Sequence, residues 1–351
     1  MSYFTILTQM IGYSLFGVAA SRQAEESMGG SVDDGNDFTI KQIEWDKLFE
    51  LSREQAVTAL LCDAVLKLPK EQRPPKEVLF HLVSMSDTIE NDNRVRHEAL
   101  KSFHDTVMKP MNLPCVVVKG SSIAVRYPNP LHRECGDNDI YTGRDTGRLS
   151  EKLNSLGIAV DNKDPRHAAF SFHGVDFEAH TYLLYHNDEP EWTPVPMGST
   201  GLWHLPIEEE TFFLAKHIEH HAVFFHEMVR IRDLVDWCML LRSPDFDFRR
   251  FRDLKRGSDV EYFAELMTSF CNLTFGLEMD CQLPGGLSAD DFDKLYMQCP
   301  ERHPSAIVRV ARRSGKYIRY QRKYKILYGQ SMFRRFYFRN IYVALRNLLY
   351  R

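Results

Sequence analysis

Asp137 and Asp139 stand two residues apart in Gly136-Asp137-Asn138-Asp139-Ile140-Tyr141, downstream of an apolar run that ends in Lys119-Gly120-Ser121-Ser122. On a strand, side chains at i and i+2 leave by one face about 6.6 Å apart, near enough to share one or two hard cations. That arrangement suits phosphoryl transfer, where divalent ions neutralise phosphate charge and align an attacking oxygen with phosphorus. Gly120 lets backbone approach a phosphate without an intervening side chain, and a helix starting after it offers free N–H groups and a positive dipole end. Lys119 and Arg133 supply charge for β- and γ-phosphates, Arg133 by a two-pronged contact. Each has a plainer reading: a lysine stem covering the strand end, or a salt bridge from Arg133 to Glu134 or Asp137.

Two further groups carry chemistry. Residues His167 to His180 alternate on either side of His173-Gly174, the pattern of a two-stranded hairpin, which puts Asp176, Glu178 and His180 on one face. In the stretch from His217 to His226, His217 and His221 share a helical face at i and i+4, which suits zinc. The Glu is misplaced for a His-Glu-x-x-His motif and no third ligand lies nearby, so packing competes with zinc. Arg232 and Asp236 are also i and i+4, most simply an ion pair on one helix; turned toward a cleft, Arg232 instead holds phosphate.

The elements that position these groups follow from periodicity. Residues 41–67 and 76–111 place apolar side chains at spacings of three and four, with a break at Arg73-Pro74-Pro75, so the first hundred residues read as helical. Residues 113–118 form a buried strand, and Ser121 caps a helix running toward Tyr127. A helix spans about 145–156, closed by Gly157. A Pro-rich loop with Trp192 and Trp203 leads to a helical region over about 207–241, and helices continue to the end. The first seventeen residues are apolar without the basic flank of a secretory signal and read as an amphipathic packing helix; residues 28–37, rich in Gly and acid, read as a connector. No run reaches 18 apolar residues, which argues against a spanning helix.

The chain has 351 residues, 44% of them apolar, enough for two or three packed units. Seven scattered cysteines without a Cys-x-x-Cys pair exclude a disulfide framework and a zinc knuckle, and imply reduced thiols in a cytoplasm. The net charge of −4 conceals an asymmetry: residues 302–351 hold 14 Lys or Arg and no Asp or Glu, leaving the rest at −18. Aromatic residues interleave with the basic ones, as suits phosphate contact and base stacking by an anionic partner. The helical spacing of Tyr317, Tyr320, Tyr324 and Tyr328 supports instead one buried face opposite a solvated basic one.

The string from Val116 to Asp139, with Lys119-Gly120, Tyr127-Pro128, Arg133 and Gly136-Asp137-Asn138-Asp139, resembles the signature of the uncharacterised nucleotidyltransferases, a branch of the polymerase-β-like nucleotidyltransferase superfamily. The likeness extends to Phe177-Glu178-Ala179-His180 and to His217 through Trp237, so it covers about residues 40–240. It implies an α+β fold whose polymerase-β-like core, a small mixed sheet with helices at 101–200, is flanked by helical regions at 1–100 and 201–351. It also implies Mg²⁺ or Mn²⁺ held by Asp137, Asp139 and Glu178, with Glu178 alternatively the base for the acceptor's proton. Gly120 and Ser121 match the turn that cradles the NTP, and the histidine cluster lies at the nucleotide cleft's edge, binds zinc or packs. The chain departs from the pattern at Asn138, where a branched apolar residue is usual.

The expected activity is transfer of a nucleoside monophosphate from an NTP to an acceptor hydroxyl on a sugar, RNA, small molecule or protein. The alternatives are a catalytically silent nucleotide-binding or scaffold protein, and a nucleic-acid-binding protein acting through residues 302–351.

Overall fold

Alternation along the strands decides which residues reach the site. In the computed structural model, residues 3–17, 44–184, 189–222, 229–258, 260–275, 279 and 281 are described. The connector expected at 28–37, His226 and the basic segment 302–351 lie outside them. Among the described residues seven strands form one sheet in the order β3-β4-β5-β2-β1-β7-β6. They are β1 (Val116–Val117), β2 (Asn138–Tyr141), β3 (Val160–Asp161), β4 (His167–Phe172), β5 (Val175–His180), β6 (Val195–Pro196) and β7 (Trp203–His204). The β2–β5 and β1–β7 pairs are parallel and the others antiparallel, so the sheet is mixed.

One face of the sheet carries Val117, Ile140, Phe170, Phe172, Val175, Phe177 and Ala179 in an apolar cluster with Leu100 and Phe103. The period of two then sends Asp139, Glu178 and His180 to the other face. On that side Val116 and Val118 join a larger cluster. Asn138 points to the first face and is 2% exposed, yet its amide donates to Arg96 O at 3.2 Å, so the unusual residue of the motif is satisfied.

Ten α-helices surround the sheet among the described residues: α1 (Tyr3–Phe16), α2 (Trp45–Glu54), α3 (Thr58–Lys67), α4 (Lys76–Phe103), α5 (Gly120–Ala124), α6 (Thr146–Ser155), α7 (Ile207–His220), α8 (Ile231–Leu241), α9 (Phe248–Lys255) and α10 (Glu261–Phe275). None is long and apolar enough to cross a membrane. The Pro-rich break before α4 forms as expected, but residues 41–67 divide at Gln55–Val57, where Ala56 takes a φ of 54°. The stretch 207–241 divides as well: Arg230 is extended, and its N–H donates to Asp233 Oδ2 at 2.9 Å, capping α8. The loop with Trp192 and Trp203 proves to contain β6 and β7, two-residue strands too short for any periodicity to signal.

The hairpin expected at 167–180 is β4–β5, turned by His173 and Gly174 with φ of 51° and 77°. Positive φ at both central residues is the turn whose twist matches the strands it joins, and Gly174 takes it at no steric cost. Gly157, at φ 77°, terminates α6 as read from the sequence.

Candidate metal and nucleotide site

The parallel pairing of β2 with β5 sets Asp139 directly opposite Glu178, and both face the same side. Asp137 falls just before β2 rather than on it. Even so, one carboxylate oxygen from each of Asp137, Asp139 and Glu178 lies within 4.8 Å of the others. Asp139 is buried and accepts from Lys119 Nζ at 2.7 Å and His180 Nε2 at 2.7 Å through the same oxygen. Despite burial, these two partners hold its carboxyl well below the usual range. Burial and then the Asp139 charge push Asp137 upward. Crowded carboxylates with all-oxygen donors fit a hard divalent cation.

Lys119 reaches Asp139 from a turn that costs energy. It has φ 54° and ψ −133°, a conformation that favours glycine, at roughly 1–3 kcal/mol for another residue. The fold holds it there through Glu210, whose Oε1 accepts the Lys119 N–H at 3.1 Å and the Ser122 hydroxyl. Glu210 is fully buried, its Oε2 has no partner, and burial raises its pKa to about 7. Sequence reasoning missed this residue. Three successive glutamates, Glu208 to Glu210, open α7, where the dipole favours negative charge; that run was the available signal. Glu208 accepts from Asp247 N at 2.8 Å and Glu209 from Thr193 N at 2.9 Å, so each ties down a neighbouring segment.

The helix after the turn differs from expectation. It begins at Gly120 rather than being capped by Ser121, and covers only five residues. Ser122, not Ser121, makes the local hydroxyl bond, to Lys119 O at 2.7 Å. A dipole of so short a helix is small, which leaves its first backbone N–H groups as its contribution.

A cleft of about 180 Å³ opens on Asp137 and Asp139, and Lys119, Gly120, Arg133, Arg232, His217 and His221 help to line it while Ser121 and Glu178 do not. Arg133 is committed to neither Glu134 nor Asp137: it grips Asp236 with two bonds of 2.8 and 2.7 Å. Tyr127 also donates to Asp236, at 2.6 Å. The pairing expected between Arg232 and Asp236 is therefore replaced. Arg232 instead reaches Asp233 at 3.3 Å and Glu134 O at 3.4 Å, with its buried Nε unpartnered. Of the two arginines, Arg232 is the less committed and the better placed for an anion.

The His217 and His221 rings lie 4.3 Å apart between centroids with their planes tilted by 43°, and burial followed by the Lys119 charge drives His217 well below the ordinary histidine range. Among the described residues, neither belongs to a group of three ligands close enough for a metal. A neutral His217 beside Lys119 lines the cleft.

Residues 41–276 match the family described as uncharacterised nucleotidyltransferase, and the chain belongs to that family. The match runs past the sequence signatures, through α10. No curated protein and no solved structure matches the chain. Membership supports nucleotidyl transfer in general and a nucleoside triphosphate as the substrate class.

Proposed function

We propose that the protein moves a nucleoside monophosphate from an NTP to an acceptor hydroxyl, at a divalent cation held by Asp137, Asp139 and Glu178. The new bond joins the acceptor oxygen to the α-phosphorus, the bond from that phosphorus to the β-phosphate oxygen breaks, and pyrophosphate leaves. The bound ion would supply charge neutralisation at the phosphates. The observation that carries the reading is the meeting of three carboxylates within 4.8 Å, two of which, Asp137 and Asp139, line the Lys119-Gly120 cleft.

The chain's own groups divide the remaining work. Gly120 presents backbone at the cleft, where a Cβ would meet only ordinary contacts, Asp137 O at 3.6 Å being the nearest. Arg232 and Lys119 line the cleft with positive charge for the β- and γ-phosphates. Glu178, a third exposed on its side chain, either completes the cation set or accepts the proton from the acceptor hydroxyl.

Labelled NTPs, Mg²⁺ or Mn²⁺ and a cell lysate, followed by identification of the labelled product, test this directly. Asp139→Asn should reduce label transfer and pyrophosphate release by at least roughly 100-fold with circular dichroism unchanged. Full activity in that variant would remove the assignment.

A further inference from the structure

We propose that His167, Glu178 and His180 form a second cation position, nitrogen-rich and suited to a borderline transition metal such as Zn²⁺ or Co²⁺. It shares Glu178 with the acid cluster, and it goes beyond the transfer reaction proposed above. The pairing of β4 with β5 sets His167 directly opposite His180, and Glu178 lies two residues before His180 on the same face. One ligand atom from each of the three falls within 4.8 Å of the others.

Distances inside this group are specific. His167 Nε2 lies 3.6 Å from Glu178 Oε1, and His180 Nε2 lies 3.6 Å from Glu178 Oε2. Both are too long for hydrogen bonds. Each histidine nitrogen thus faces its own oxygen of Glu178 at close to the separation of neighbouring donors around a tetrahedral ion, about 3.4 Å for metal–ligand lengths near 2.1 Å. Two imidazoles and a carboxylate select borderline metals, whereas three carboxylates select hard ones.

The surroundings of His167 agree. Its Nδ1 is buried without a hydrogen-bond partner among the described residues, and faces Asp164 Oδ2 at 4.0 Å. Arg166 holds that carboxylate by bonds of 3.1 and 2.6 Å. Histidines that ligate metal commonly direct their second nitrogen at a carboxylate, which fixes the tautomer that frees the other nitrogen for the ion. His180 Nε2 now meets Asp139 Oδ1 at 2.7 Å; binding the ion displaces the proton of that contact, so that the nitrogen ligates and Asp139 becomes a further oxygen donor.

Cobalt(II) is the probe, because its visible absorption reports nitrogen and oxygen coordination. The full chain should develop that absorption with about one equivalent of Co²⁺ and keep it in a large excess of Mg²⁺. His167→Ala and His167→Gln should lose it, whereas Asp137→Asn and His173→Ala, folded by circular dichroism, should retain it. Loss of Mg²⁺ or Mn²⁺ binding in Asp137→Asn tests the acid cluster separately. The proposal is overturned if both His167 variants keep the cobalt spectrum while folded, if Asp137→Asn abolishes it, or if Mg²⁺ displaces the cobalt.

Discussion

At the scale of single residues, the chemistry turns on how charge is compensated in a confined space. Glu210 shows the cost of leaving it uncompensated. Burial raises its pKa from 4.5 to about 7, so the folded state favours the protonated carboxyl. The native protein then binds more protons than the unfolded chain between those two values, and stability falls as pH rises from 4.5 through 7 before levelling. At 1.36 kcal/mol per unit the loss is roughly 3 kcal/mol. Glu210→Gln keeps an acceptor for the Lys119 N–H and removes the charge. Its denaturation midpoints at about pH 5 and about pH 8 should lie closer together than those of the unsubstituted protein; an equal gap would show that another group titrates.

Elements set the positions of these residues, and the strand-turn-helix unit around Lys119 is the most consequential. Lys119→Gly removes backbone strain of about 1–3 kcal/mol but leaves the buried Asp139 short of a partner, a loss of about 3–5 kcal/mol. The second effect wins, and urea denaturation should show a net destabilisation of roughly 2 kcal/mol. Gly120→Ala behaves differently, because a Cβ there meets nothing closer than 3.6 Å. Stability should stay within about 1 kcal/mol, whereas titration with NTP should show weaker binding where backbone touches phosphate.

Much of the frame around the site was legible in the sequence. Asp137 and Asp139, the hairpin turned at His173-Gly174 and the Gly157 terminus all announce themselves through local spacing or turn chemistry. What escaped was set by distant contacts. The left-handed Lys119 depends on Glu210, which is 91 residues away, and the partner of Arg133 lies 103 residues away at Asp236. Strand β7 forms against the edge of β1, where Trp203 N donates to Cys115 O at 2.9 Å, and β6 pairs in turn with β7. No periodicity in two residues signals that.

Across the whole molecule, helices from before and after the sheet share one apolar cluster, in which Leu7, Leu61, Phe213, Trp237 and Phe270 all lie at or below 2% exposure. The site is built into that assembly. Glu134 accepts from Thr58 N at 2.6 Å at the start of α3, and Gln55 accepts from Ile231 N at 2.9 Å at the start of α8. Asp236 joins Arg133, on the loop that leads to the acids, to α8. Asp236→Ala would strand a buried guanidinium and should cost about 3–5 kcal/mol, read as a large fall in melting temperature. Pairing it with Arg133→Met should recover part of that loss, because an apolar pair needs no compensation.

The register of β5 against β2 has a consequence for how such a site can change over time. Sliding β5 by one step would exchange the Glu178 carboxylate for the phenyl ring of Phe177, now pressed into the opposite side of the sheet. An insertion or deletion that shifts this register therefore takes Glu178 out of the triad at once, and only a bulge that absorbs the extra residue spares it.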